Sequence, residues 1–300
     1  MTPVENRYEN ELFGYQIKSE TQDARSKKAY WSAAIGLNRV DGLEPSGYLI
    51  ELAEQHIEGA MTSDEVDRRL EGYYSQKEPG TNDREKECDL VSKRIVDLLD
   101  QGGFTFSVQM LKNIHGYLFK DLLFDRDGKR RNEWAEEFRD ANFTKREAVL
   151  GGDTVNHANF FMVEDTLKYD FEQEKGHRYA EPIDEGQIAH IARFASSIWQ
   201  VHGFREGNTH TTAVFLELYL RTLGFDVDND LLKEHSAYFR NALVRSNYAN
   251  VRKGVSPDFS YLERFFSNLL TGTEHPLKTR DLFIDEDSLA EYLQDLREMG

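Results

Sequence analysis

His202, Glu206, Gly207 and Asn208 fall within one short polar run, Val201-His202-Gly203-Phe204-Arg205-Glu206-Gly207-Asn208-Thr209-His210, flanked by apolar segments on both sides. His202 is a base whose ordinary pKa lies near neutrality. Glu206 is a hard oxygen ligand of the kind that holds Mg²⁺ beside phosphates. Gly207 lets the backbone approach a ligand closely, and Asn208 adds an amide donor. The run ends at the start of an apolar helix. Backbone N–H groups there lack helical acceptors, and the positive end of the helix dipole favours an anion. A base, a metal ligand and an anion nest so close together point to phosphoryl or nucleotidyl transfer.

The elements that must position this run are helical. Upstream, residues 184–201 place Ile188, Ile191, Ala195 and Ile198 on one stripe. Downstream, residues 211–223 are apolar nearly all round, as a helix in the middle of a domain should be, and Gly224 is its natural stop. Further helices are expected at 84–100, with Val91, Ile95 and Leu98 inward, and at 107–123, 158–173, 229–247 and 257–271. Phe138 to Val155 has no helical period, and Gly151-Gly152 suggests a loop or β-hairpin there.

Nearer the start, Arg25–Val40 reads as a helix stopped by Asp41-Gly42. Ser46 caps a second, with Leu49, Ile50, Ala53 and Ile57 on one face. Thr62 with Glu65 forms a capping box ahead of Val66, Leu70 and Tyr73. The polar stretch Ser75–Glu85, with Pro79-Gly80, reads as a linker. The chain therefore divides into an arm (1–21), a three-helix module (22–75), a main helical domain (84–272) and a tail (273–300). The fold class is mainly α.

Composition excludes several classes. The formal net charge of −17 in 300 residues argues against a direct nucleic-acid or anionic-membrane partner. A single cysteine, Cys88, leaves no disulfide framework or Cys-rich zinc site. The chain shows neither the roughly 20-residue apolar run of a membrane span nor a signal-peptide pattern, so a cytoplasmic location is expected, in its own cell or another. Homo-oligomers are compatible with this composition.

The segment HGFREGNTH resembles the motif of Fic/Doc-type proteins, His-x-Phe-x-(Asp/Glu)-Gly-Asn-Gly-Arg-x-x-Arg, at His202, Phe204, Glu206, Gly207 and Asn208. The resemblance covers about residues 85–272. Separately, 22–75 is similar to the antitoxin-like helical module of many such proteins. It implies a Fic-type helical bundle with a β-hairpin flap at 143–155, and the activity of a protein adenylyltransferase. His202 would take the proton of a Ser, Thr or Tyr hydroxyl on a target protein, which attacks the α-phosphate of ATP. Glu206 would hold Mg²⁺. Gly207, Asn208, Thr209 and His210 would cradle the nucleotide, and Phe204 would anchor the loop. The flap would pair with an extended target segment by strand addition.

Thr209 stands where the motif has Gly, and His210 and Ala213 stand where it has Arg; Gly203 replaces a frequent Pro. Neither neutral imidazole nor methyl replaces a bidentate arginine on phosphate. On the motif alone, ATP and ADP should bind alike unless a cation from elsewhere, such as the basic run Arg126–Arg131, takes over. The family's inhibitory helix finds its nearest match in Leu37–Gly42, which makes Asp41 the inhibitory acid, facing Thr209 and His210. Two other readings use the same residues: a catalytically impaired scaffold that binds protein or nucleotide, and kinase-like phosphate-donor chemistry. His115 and His190 read as structural histidines, Trp134 and Trp199 as core, and Asp285-Glu286-Asp287 as a solvated face.

Overall fold

A computed structural model describes residues 20–39, 43–77, 83–101, 103–123, 131–227 and 229–299. The first half runs α1 (Glu20–Arg39), α2 (Gly47–Ile57), α3 (Ser63–Ser75), α4 (Asp83–Gln101), α5 (Val108–Phe119) and the single turn α6 (Glu133–Glu136). Strands β1 (Arg146–Glu147) and β2 (Asp153–Thr154) follow, then α7 (Val163–Lys175), α8 (Glu185–Val201) and α9 (Asn208–Thr222). The chain closes with α10 (Asn229–Ser246), α11 (Ser260–Thr271) and α12 (Glu286–Met299). The mainly α class expected from sequence is the one observed.

Side chains start the helices where the sequence places them. Ser46 Oγ accepts from the Leu49 N–H, and Thr62 with Glu65 forms a reciprocal capping box. Asp184 and Gln187 form another ahead of α8, whose Ile188, Ile191, Ala195 and Ile198 are buried. One stripe is corrected. On α2 the buried face is Leu49, Leu52, Ala53 and His56, whereas Ile50 is 36% exposed. The buried set keeps i, i+3, i+4, i+7 spacing, which puts Ile50 about 100° round the helix. His56 joins the core because its Nδ1 accepts from Trp31 Nε1–H at 3.1 Å. On α4, Val91 and Ile95 are buried, and Leu98 only partly so.

Between β1 and β2 the chain turns through a 3₁₀ segment, Ala148–Leu150, then Gly151 and Gly152, both at positive φ. The strands pair antiparallel, Arg146 with Thr154 and Glu147 with Asp153. This is the hairpin expected within 138–155.

α9 occupies the middle, with Asn208 to Leu220 all buried and α4, α5 and α8 packed around it. α1 lies across α10 and α4, α2 packs on α1 and α3, and α3 packs on α4. One contiguous apolar core therefore runs from Trp31 through Leu49, Val66 and Val91 to Leu282. The linker stretch 78–82 lies outside the described residues. No described helix is long and apolar enough to cross a membrane.

α1 meets α10 at Gly36, where an added Cβ would lie 2.3 Å from the Lys233 Cα. Gly→Ala within a helix ordinarily gains about 1 kcal/mol from propensity. Here the clash is with backbone, and overpacking of this kind costs typically 1–3 kcal/mol. Gly36→Ala is therefore expected to lower the midpoint of thermal unfolding, against the sign of helix propensity.

Candidate functional site

α8 ends at Val201, and His202 caps it in the left-handed region at φ 52° and ψ 56°. For a residue with a Cβ this costs about 1–2 kcal/mol, so surrounding contacts must hold it. Arg139 does. Its Nε donates to the His202 carbonyl at 2.7 Å, its Nη1 to Ala141 O at 2.8 Å and its Nη2 to Ala158 O, while its own N–H donates to Gly203 O at 2.8 Å. A buried cation thus gathers carbonyls from the end of α8 and from the segments flanking the hairpin. Burial lowers its pKa without discharging it.

Beyond His202 the loop closes on itself. The Asn208 amide takes the Phe204 N–H on Oδ1 at 2.9 Å and donates from Nδ2 to Phe204 O at 2.8 Å. Phe204 is buried and stacks on His115, with ring centroids 3.8 Å apart and planes 3° from parallel. The His115 ring nitrogens lie 2.7 Å from Ala135 O and 3.1 Å from Glu206 O, and the neutral ring can donate to only one of them at a time. Gly207 sits at φ 69°, and a Cβ there would come within 2.2 Å of the Phe119 ring. No other residue fits.

α9 begins at Asn208, three residues before the start read from the apolar pattern, because its polar first turn is packed inside. The first backbone N–H with a helical acceptor is that of Thr211, which donates to Gly207 O. No side chain caps this helix start. Its positive end faces a cleft of about 850 Å³ shared by α5, the hairpin, α10 and the end of α1.

His202, Glu206, Gly207, Asn208, Thr209 and His210 all line that cleft. Two of them differ in use from the sequence reading. The Asn208 amide is engaged with Phe204, and Thr209 Oγ1 accepts from Trp199 Nε1–H at 3.1 Å. What these two positions offer outward is backbone. Ala213 faces elsewhere: it lines a small apolar void with Leu216, Phe239 and Phe265. An arginine at 213 would bury its charge in the core instead of reaching the cleft. Asp41 and residues 126–130 lie outside the described residues.

His202 is 8% exposed. Its Nδ1 is sealed without a hydrogen-bond partner, which leaves Nε2 as the nitrogen open to the cleft. Its ring packs 4.0 Å from His157 and 5.5 Å from both Phe143 and Trp199. Burial pushes its pKa well below 6.5, with His157, Lys145 and Arg139 adding to the effect. His202 is therefore neutral at pH 7. His157 is pushed to about 4, first by burial and then by Arg139.

Glu206 is exposed at the cleft. Among the described residues no group of three or more His, Cys, Asp or Glu forms a metal cage. Mg²⁺ commonly uses one or two carboxylates together with phosphates, and Glu206 beside the α9 start fits that mode.

Sequence reasoning missed Arg139 and His157, which pack against His202, and Arg240, which lines the cleft; all three come from remote segments with no spacing signal. Trp134, read as core, is partly buried and lies under the Arg205 guanidinium at 4.3 Å, while Arg205 pairs with Asp140. Trp199 is core, His115 is buried under the loop, and His190 donates to buried Glu174 at 2.6 Å.

A polar loop between two central helices thus brings a neutral histidine and a carboxylate together at a helix start. A family model described as Fic/DOC family matches residues 105–220, the stretch from just before α5 to the last turns of α9. The part of the chain that carries the motif loop is thus Fic/DOC-like. Among solved structures, the chain is similar to the N-terminal FIC domain of Bep8, a VirB-translocated Bartonella effector protein from Bartonella sp. 1-1C. The identity is 16% and the TM-score 0.47, covering 65% of this chain and 88% of that one. No curated protein matches the chain.

Burial also pushes the His115 pKa to about 4. The unfolded chain then binds more protons than the folded one below about pH 6.5, so this contribution is complete above 6.5 and is lost as pH falls towards 4. His115→Phe keeps a ring for Phe204 but cannot titrate. Urea unfolding at pH 7 and pH 4.5 should show the wild type losing about 2–3 kcal/mol more than the variant.

Proposed function

We propose that this cleft transfers AMP from ATP to a hydroxyl group of a target protein. The observation that supports the reading is the juxtaposition of an open His202 Nε2, Glu206 and the start of α9 in one cleft. His202 Nε2 takes the proton of the target Ser, Thr or Tyr as its oxygen bonds to the α-phosphorus. The bond from that phosphorus to the α,β-bridging oxygen breaks, and pyrophosphate leaves. Mg²⁺ at Glu206 would offset charge on the departing phosphates. For Nε2 to accept, the ring proton must sit on Nδ1, which is buried without a partner. The hairpin offers a short strand against which an extended target segment can pair.

Regulation by the N-terminal helices belongs to the same reading. α1 reaches the cleft at Asn38, and the sequence makes Asp41 the candidate inhibitory acid. Asp41→Ala should therefore raise labelling. Because α1 and α3 share the core with α4 and α10, point variants test this better than removal of residues 1–75.

A scaffold without transferase activity is the second reading, favoured by the inward commitment of the Asn208 amide and Thr209 hydroxyl and by Ala213 in the core. Labelling of protein by α-phosphate-labelled ATP with Mg²⁺ separates the two. His202→Ala is expected to abolish labelling while nucleotide binding survives. Glu206→Ala is expected to remove the Mg²⁺ dependence of binding. Nucleotide binding without labelling in the wild type would select the scaffold.

A further inference from the structure

The cleft holds a cation that the motif does not supply. Arg240, on α10, pairs through Nη2 with Glu147 Oε2 at 2.7 Å, and both residues line the cleft. Their side chains are 14% and 4% exposed, so the pair sits in a poorly solvated part of the wall. Of the other described cations lining the cleft, Arg205 is turned to Asp140 and Trp134, while Arg84 and Lys145 are solvent-exposed. Arg240 is also rigidly mounted, since Phe239 and Ala242 on either side of its turn are core.

Its place in the fold matters. Phe239 borders the same apolar void as Ala213, the position at which the motif helix lacks its last arginine. From the next position on α10, Arg240 lines the cleft that position 213 does not face. Planar, always charged and five-donor, guanidinium binds phosphate as readily as carboxylate.

The hairpin does not depend on Glu147 to stay in place. Asp153, its strand partner, accepts from Tyr248 OH at 2.7 Å and from Asn250 Nδ2 at 3.2 Å. At the turn, Val149 O accepts from the Ile284 N–H at 3.2 Å. Arg240 can exchange a carboxylate for a phosphate while β2 and the turn remain tethered.

We infer that Arg240 is the residue that binds the terminal phosphate of a nucleoside triphosphate in this cleft, and that Glu147 is the internal competitor an incoming phosphate must displace. This rests on the nucleotide-binding reading above. It reverses the expectation from the motif alone: a charge-assisted contact is worth about ten- to hundredfold in affinity, reduced by what displacing Glu147 costs. ATP should therefore bind more tightly than AMP, with ADP between them.

The test is calorimetric titration of the full chain with ATP, ADP and AMP, each with Mg²⁺. In the wild type, ATP is expected to bind at least tenfold tighter than AMP. Glu147→Gln removes the competitor and should tighten ATP severalfold without changing AMP. Arg240→Gln alone leaves a buried carboxylate unpaired and invites misfolding, so the deciding protein is Arg240→Gln with Glu147→Gln. That double variant should lose the preference for ATP while keeping AMP affinity within about twofold. Arg240→Lys should retain part of the preference, as a point charge without the fork. A double variant that is folded and still prefers ATP as the wild type does would overturn the assignment and leave nucleotide binding standing. A wild type that binds none of the three would overturn both.

Discussion

The site depends on a buried arginine facing carbonyl oxygens. α8 ends inside the protein, where its last carbonyls have no helical partners and no ready access to water. Arg139 supplies the missing donors to His202 and, through its backbone, to Gly203, and the same guanidinium holds Ala141 and Ala158. Without it His202 would have little reason to stay in the left-handed region. A single side chain thus sets the direction in which the His202 imidazole leaves its helix. The Asn208 amide then closes the next five residues on Phe204, and His115 fills the space beneath. These contacts satisfy the loop carbonyls and the Asn208 amide at the centre of this helical core, while His202 Nδ1 stays without a partner.

That economy shapes the chemistry. Asn208 and Thr209 face inward to keep the loop closed, so what the start of α9 presents to the cleft is backbone. Burial holds His202 neutral, which keeps its lone pair available but makes its protonated state costly. A base of this kind suits a step in which the proton moves only as a new bond forms.

The N-terminal helices belong to this arrangement and are not an appendage to it. α1 crosses α10 so closely at Gly36 that no side chain fits between the backbones. The same α10 carries Arg240, and the end of α1 carries Asn38, both at the cleft. Any shift of α1 therefore bears on the wall of the cleft, because its apolar faces are completed by α4 and α10.

How much of this was legible beforehand follows from what local pattern can carry. Helical periodicity and caps at Ser46 and Thr62 place the elements, and Gly151-Gly152 marks the hairpin turn, because both signals lie within a few residues of the structure they specify. The polar run 202–210 between apolar helices likewise declares a functional loop. Periodicity tells which face is buried but not against what, so Ile50 was assigned to a face one residue out of register. Nor could it show that Asn208 closes the loop instead of serving a ligand, or that Ala213 faces core. Arg139 meets His202 across 63 residues of chain, and Arg240 meets Glu147 from a helix with no motif of its own. By itself the sequence determined the helices, the hairpin and the polar loop between the two central helices. Only the tertiary structure decided their surroundings, because burial, partner choice and charge balance are properties of packed surfaces and not of neighbours along the chain.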